Sequence, residues 1–141
     1  MRFRRLTDKE FKAVELEFIK FLASQGLDAP AWQKVKSDNP LQVEFMLDKF
    51  SVLFWESSTA RITYLEKRSK TDRWVFKFEK SKAHVLRWVI KESVAKPDIS
   101  LGTKEFPQEA RSREIFILLE QGLLPCTEDR HEELEELFKL A

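Results

Sequence analysis

Few residues of this 141-residue chain have the chemistry of a catalytic or ligand-binding group: His84, His131, Cys126 and a dense run of glutamates near the C-terminus. Histidine titrates near neutral pH and acts as base, acid or ligand, but only beside a second group that orients it. The two histidines lie far apart in sequence, and a structural role is the simpler expectation for each. Cys126 admits a nucleophile reading, because a thiolate near a helix start is stabilised. Its setting, Pro125-Cys126-Thr127 after an apolar stretch, equally suits a small, cap-adjacent residue, so the thiol is expected to react slowly. Glu128, Glu132 and Glu135 recur at i, i+4 and i+7, an arrangement able to hold a hard cation weakly. The same acids suit a solvated helix face, favourable near the positive end of the helix dipole. No metal or cofactor is expected.

Nucleotide and hydrolase signatures are missing. The three glycines, at 26, 102 and 122, supply neither a Walker loop nor a dinucleotide fingerprint, and no G-x-S-x-G elbow occurs. One cysteine excludes an intramolecular disulfide and a cysteine-rich zinc site.

Charge is segregated although the net is only +1. Residues 60–96 hold eleven basic against four acidic side chains, a net of +7, whereas residues 105–141 hold four against ten, a net of −6. Such a basic segment would meet phosphates if it formed an exposed sheet face. On the alternation of residue types, Trp74, Phe76, Phe78, Leu86, Trp88 and Ile90 take the core face and leave Arg61, Lys77, Arg87 and Lys91 on the other. That face would then lack the aromatic platforms that single strands stack on, which favours mutual neutralisation by the acidic segment or across a dimer.

The elements that must carry these residues follow from period and caps. Thr7-Asp8-Lys9-Glu10 is a capping box, and Phe11, Val14, Phe18, Phe21 and Leu22 form one apolar stripe, predicting a helix over 8–25 ended by Gly26. Asp28 with Pro30 opens a short helix carrying Trp32 and Val35. Val43, Met46, Leu47, Phe50, Leu53 and Phe54, flanked by Phe45 and Trp55, predict a helix over 40–56. From Ala60 the period becomes two, giving three strands around Ile62–Tyr64, Trp74–Phe78 and Leu86–Ile90, with loops at 67–72 and 79–83. Pro97 and Gly102 read as breakers. Gln108–Gln121 suits a helix, although Ile115–Leu119 alone would also suit a buried strand. Thr127 opens a last acidic helix with Leu134, Leu137 and Phe138 inward.

The chain resembles an uncharacterised family of small bacterial proteins, a domain of unknown function. The resemblance rests on Arg4-Arg5-Leu6-Thr7, Glu17 to Gln25 (EFIKFLASQ), Trp32-Gln33-Lys34-Val35-Lys36, Asp48-Lys49-Phe50-Ser51, Trp55-Glu56 and Tyr64-Leu65-Glu66, and covers the chain as far as Arg73. It implies a bacterial, cytoplasmic protein and carries no assigned activity. Trp55, Glu56, Tyr64 and Glu66 would form a polar-aromatic pocket with two carboxylates for acid–base work; core edges with wetted tips and surface glutamates account for them more simply.

The resulting expectation is one α+β domain over residues 1–141, with N-terminal helices packed on a three-stranded antiparallel sheet and closed by C-terminal helices. The basic N-terminus lacks an apolar signal core and no run approaches a membrane span, so a cytoplasmic location is expected. The first functional expectation is a non-catalytic protein-binding or adaptor module, with a protein partner or a homo-oligomer. Nucleic-acid binding through Arg61, Lys77, Arg87 and Lys91 comes second, and a small-molecule enzyme third.

Overall fold

A computed structural model describes residues 3–91 and 96–140, with side chains as far as Glu136. The inward placement expected of Leu137 and Phe138 therefore lies outside the described residues. The chain folds as two compact units, Met1–Ser57 and Ser58–Ala141.

Helices α1 (Asp8–Ala13), α2 (Glu15–Ser24), α3 (Ala29–Asp38) and most of α4 (Pro40–Ala60) make the first unit. The capping box is present: Glu10 N–H donates to the Thr7 hydroxyl, and Thr7 N–H to the Glu10 carboxylate. The stripe that predicts one helix over 8–25 is carried by two, because β-branched Val14 takes φ −114°, ψ 31° between them. Phe50 sits at the centre of an aromatic cluster, with Phe18, Phe21 and Phe11 rings at 5.1, 5.5 and 5.9 Å. Leu22 and Met46 are buried, as their places in the apolar stripes predict, whereas Phe45 and Leu53 are exposed. Buried Ser51 donates to Leu47 O at 2.7 Å and accepts from Leu6 N–H at 3.0 Å, tying the N-terminal segment to α4.

The second unit is an antiparallel sheet in the order β4-β3-β2-β1-β5, formed by β1 (Tyr64–Arg68), β2 (Asp72–Phe78), β3 (Lys82–Val89), β4 (Asp98–Glu105) and β5 (Leu124–Cys126). It has five strands, not the expected three. The segment around Gly102 is an edge strand with solvent on both sides, so it shows little of the alternation that burial imposes. Strand β5 has three residues and contains Pro125, which an edge strand tolerates. Residues 111–120 are helical, as α5 (Arg111–Glu120), and α6 (Glu128–Leu140) follows β5.

Register corrects the expected faces. Both hairpins close on two residues, with Ser69 N–H donating to Asp72 O and Glu79 N–H to Lys82 O at 2.8 Å. A two-residue turn pairs positions of opposite parity, so Phe76 lies across from Val85 and Trp74 from Arg87. Trp74, Phe76 and Phe78 therefore share a face with Ala83, Val85 and Arg87, and Leu86 and Trp88 share the other with Val75 and Lys77. Trp74 and Trp88 stand on opposite faces. Lys77 and Arg87 do too, and the single basic face expected from alternation does not form. Longer loops, as expected at 67–72 and 79–83, would have left the parity open.

Each face has its own core. Under α5, fully buried Leu65 and Ile115 pack with Phe78, Ala83, Phe106 and Leu123. Under α6, Val75 and Leu86 pack with Leu134, and Trp88 and Cys126 border them.

Candidate functional site

On the α6 side of the sheet, the helix packs on β1, β2 and β3 and leaves a groove toward β4 of about 660 Å³. Its floor is apolar, from Leu86 and the 58 % exposed Leu101. Lys77, His84 and Thr103 rise from the strands, and His131 and Glu135 descend from the helix. Strand pairing places Lys77 opposite His84, and His84 opposite Thr103, so three polar groups cross the groove in one row. Both histidines of the chain, distant in sequence, thus meet here.

Their surroundings differ. His131 is buried, and its Nδ1 lies 3.0 Å from the Glu135 carboxylate, with the Tyr64 ring 5.7 Å away. Burial, the largest influence, lowers its pKa and holds the imidazole neutral. His84 lies on the groove wall with Nε2 3.3 Å from Glu79, and that contact, first among the influences, lowers the Glu79 pKa. Cys126 pairs with Tyr64 across β5 and β1. Burial pushes its thiol up to about 11, the opposite of what a nucleophile requires.

The open border of the groove is β4 itself. Phe106 N–H donates to Ser81 O at 3.0 Å, which fixes the parity of the ladder. Lys104, Gly102, Ser100 and Asp98 exchange backbone bonds with β3, and the alternate residues Ile99, Leu101 and Thr103 turn their N–H and C=O groups outward. Among the described residues no backbone hydrogen bond reaches these outward groups. Their side chains lie on the groove face.

The residues singled out for nucleic acid are dispersed. Lys77 lines the groove. On the α5 face, Arg87 forks onto Asp72 at 3.0 and 3.2 Å and lies 4.1 Å over the Trp74 ring, whose other neighbour is the parallel Phe76 ring at 6.3 Å. Lys91 pairs with Asp98 at 3.0 Å, and Arg61 is exposed past the end of α4. The acidic helix does meet basic strands: Glu133 takes Arg68 at 2.9 Å and Arg73 at 3.3 Å. Arg73 also lies 4.7 Å over Trp88, and among the described residues neither Arg73 Nε nor Trp88 Nε1 has a hydrogen-bond partner.

The residues of the expected polar-aromatic pocket divide between the two units, Trp55 and Glu56 in the first and Tyr64 and Glu66 in the second. Trp55 is buried, donates from Nε1 to Arg4 O at 3.0 Å and lies under the Arg4 guanidinium, and Glu56 is half-buried on α4. In the sheet unit Tyr64 meets His131, and Glu66 lies 3.7 Å from Arg130. The helical unit has a concavity of its own, an apolar groove of about 910 Å³ with Phe11, Phe18, Ile19 and Trp32 among its walls. No group of three or more metal-ligating side chains occurs among the described residues, and no described helix is long and apolar enough to cross a membrane.

A family model matches residues 1–106, three-quarters of the chain. The chain belongs to DUF6495, a family of unknown function. No curated protein and no solved structure matches it. The DUF6495 match takes in the helical unit and strands β1 to β4, hence Lys77, His84, Leu101 and Thr103. It stops before α5, β5 and α6, so His131 and Glu135 come from outside it. Sequence reasoning missed the β4 edge because its signal is a strand ladder without a buried face. The nearest hint was the Ile99, Leu101, Thr103 alternation.

Proposed function

We propose that this DUF6495 member is a non-catalytic protein-binding module that receives an extended polypeptide segment along β4. The observation that carries the reading is the row of outward backbone groups at Ile99, Leu101 and Thr103 beside the groove. Strand addition derives affinity from main-chain bonds and specificity from alternate side chains. Here those alternate side chains would enter a groove with Leu86 and Leu101 beneath them and Lys77, His84 and Thr103 around them. A bacterial, cytoplasmic setting belongs to the same proposal, in keeping with the family resemblance and a chain holding one cysteine.

Nucleic-acid binding through Arg61, Lys77, Arg87 and Lys91 has less support. Lys77 and Arg87 lie on opposite faces, and the Trp74 ring already has the Arg87 guanidinium over it and the Phe76 ring parallel to it. The enzyme reading through Glu56, Glu66 and Tyr64 has less again, with Tyr64 against His131 and Glu66 near Arg130.

Selection from a displayed library of random decapeptides tests the proposal. Proline at position 101 removes an outward N–H and spares the β3 ladder. Peptides selected on the wild type should lose binding at least about tenfold to Leu101→Pro, with unchanged circular dichroism, and Leu101→Lys should weaken them in the same direction. Peptides that bind all three proteins equally, or selection that yields none, would refute it.

A further inference from the structure

Strand β4 carries a symmetry that a site for arbitrary peptides does not need. Around Leu101, Ile99 and Thr103 stand two residues to either side, and Asp98 and Lys104 three to either side. We propose that β4 pairs antiparallel with β4 of a second copy of this chain, about a two-fold axis at Leu101, joining the two sheets into one. The inference rests on the strand-addition reading above and names the occupant of that edge.

Backbone parity selects the register. Every hydrogen-bonded pair across the new interface must join outward-facing residues of both strands. Centring on Leu101 meets this condition: Leu101 faces Leu101 of the second copy, and Ile99 faces Thr103. The intervening positions then set Asp98 against Lys104 twice, by symmetry, and Ser100 against Gly102. Opposite charges directly across from one another are a favourable cross-strand pair. Centring on Gly102 also matches parity, but it sets Leu101 against Thr103 and Ser100 against Lys104, with no charge pair. The strand is therefore complementary to itself in one register, the requirement of an isologous two-fold interface.

The rest of the strand agrees. Edge strands are ordinarily blunted by proline, bulges, short length or charged side chains, and the charges of β4 at Asp98 and Lys104 are the ones that pair across this axis. Strand β4 has eight residues, pairs with β3 in unbroken register and places exposed Leu101 at its middle. Asp98 and Lys104 hold Lys91 and Glu114 at 3.0 and 2.7 Å in exposed pairs. The carboxylate keeps a second oxygen, and the ammonium further donors, for the cross-strand contact. The two grooves would then meet across the axis as one trough, floored by both Leu101 side chains and walled by both α6 helices.

Sedimentation velocity of the full chain over a concentration series tests this, with folding checked by circular dichroism. The wild type should associate to a dimer, and Leu101→Pro should be monomeric. Asp98→Lys and Lys104→Asp should each weaken association about tenfold, since each turns two attractions into two repulsions. The double variant Asp98→Lys/Lys104→Asp should recover most of that loss. A wild type monomeric at every concentration, a dimer indifferent to Leu101→Pro, or a double variant no better than the singles would overturn the proposal. If the chain is monomeric yet selected peptides still depend on Leu101, self-pairing fails and strand addition stands; if neither occurs, both fail.

Discussion

At the scale of single residues, one guanidinium that no sequence motif marks ties several segments of the sheet unit together. Arg111, at the start of α5, donates to Ile62 O at 2.6 Å, Glu79 O at 2.9 Å and Thr59 O at 3.3 Å. Those carbonyls belong to the end of α4, the approach to β1 and the turn after β2, so one guanidinium joins three segments to α5. Burial lowers its pKa. Removing a cation hydrogen-bonded to several carbonyls strands those acceptors. Arg111→Met should cost about 2–4 kcal/mol, read as a lower urea midpoint, and Arg111→Lys should recover little because a point ammonium cannot fan across three directions. The Thr7–Glu10 box was legible because its two partners are three residues apart and of diagnostic type. Arg111 was not, because its partners are backbone atoms that carry no sequence signature.

Among the elements, α6 should be held in a pH-dependent way. His131 is buried on its inner face, with Glu135 on the next turn and Lys77, His84 and Glu128 as the other charges acting on it. Its folded pKa lies below the unfolded value near 6.5, so the unfolded chain takes up the proton first. The stability held by the neutral ring is full above about pH 6.5 and is lost as pH falls below it. Amide protection factors around Leu134, corrected for the intrinsic pH dependence of exchange, should therefore fall between about pH 7 and pH 5, and His131→Gln should flatten the dependence; a flat wild-type profile would contradict this. Helices were the legible part of the fold, because the periodic stripes of α2 and α4 are long. The strand faces were not. They turn on whether a loop has two residues or more, and Lys70-Thr71 and Lys80-Ser81 carry no glycine or asparagine to announce a tight turn.

For the whole molecule, the point where the family match stops falls inside the sheet unit. Residues 107–141 supply Ile115 and Leu123 to one core, Leu134 to the other, the fifth strand and Arg111. A chain ended after Phe106 would bare Leu65, Phe78 and Ala83 on one side and Val75 and Leu86 on the other. It should bind a hydrophobic dye strongly and lose cooperative unfolding of its strands, while the helical unit, with its Phe50 cluster wholly within residues 1–57, keeps its helical dichroism. A 1–106 chain with a sharp, dye-silent strand transition would show the last elements to be dispensable. The charge segregation was the sequence's nearest pointer to this arrangement, and it marked a real contact, Glu133 with Arg68 and Arg73. It could not say that the basic residues divide between two faces.

That division also gives the sheet a native optical label on each side. Trp74 emits from beneath Arg87 on the α5 face, and Trp88 from beside Arg73 on the α6 face. With Trp32 and Trp55 replaced by Phe, the fluorescence of the chain would come from these two indoles alone. Light from Trp88 would follow the seating of the acidic helix, and light from Trp74 would follow the opposite core. Two spectra from one protein would then tell which side of the sheet loosens first.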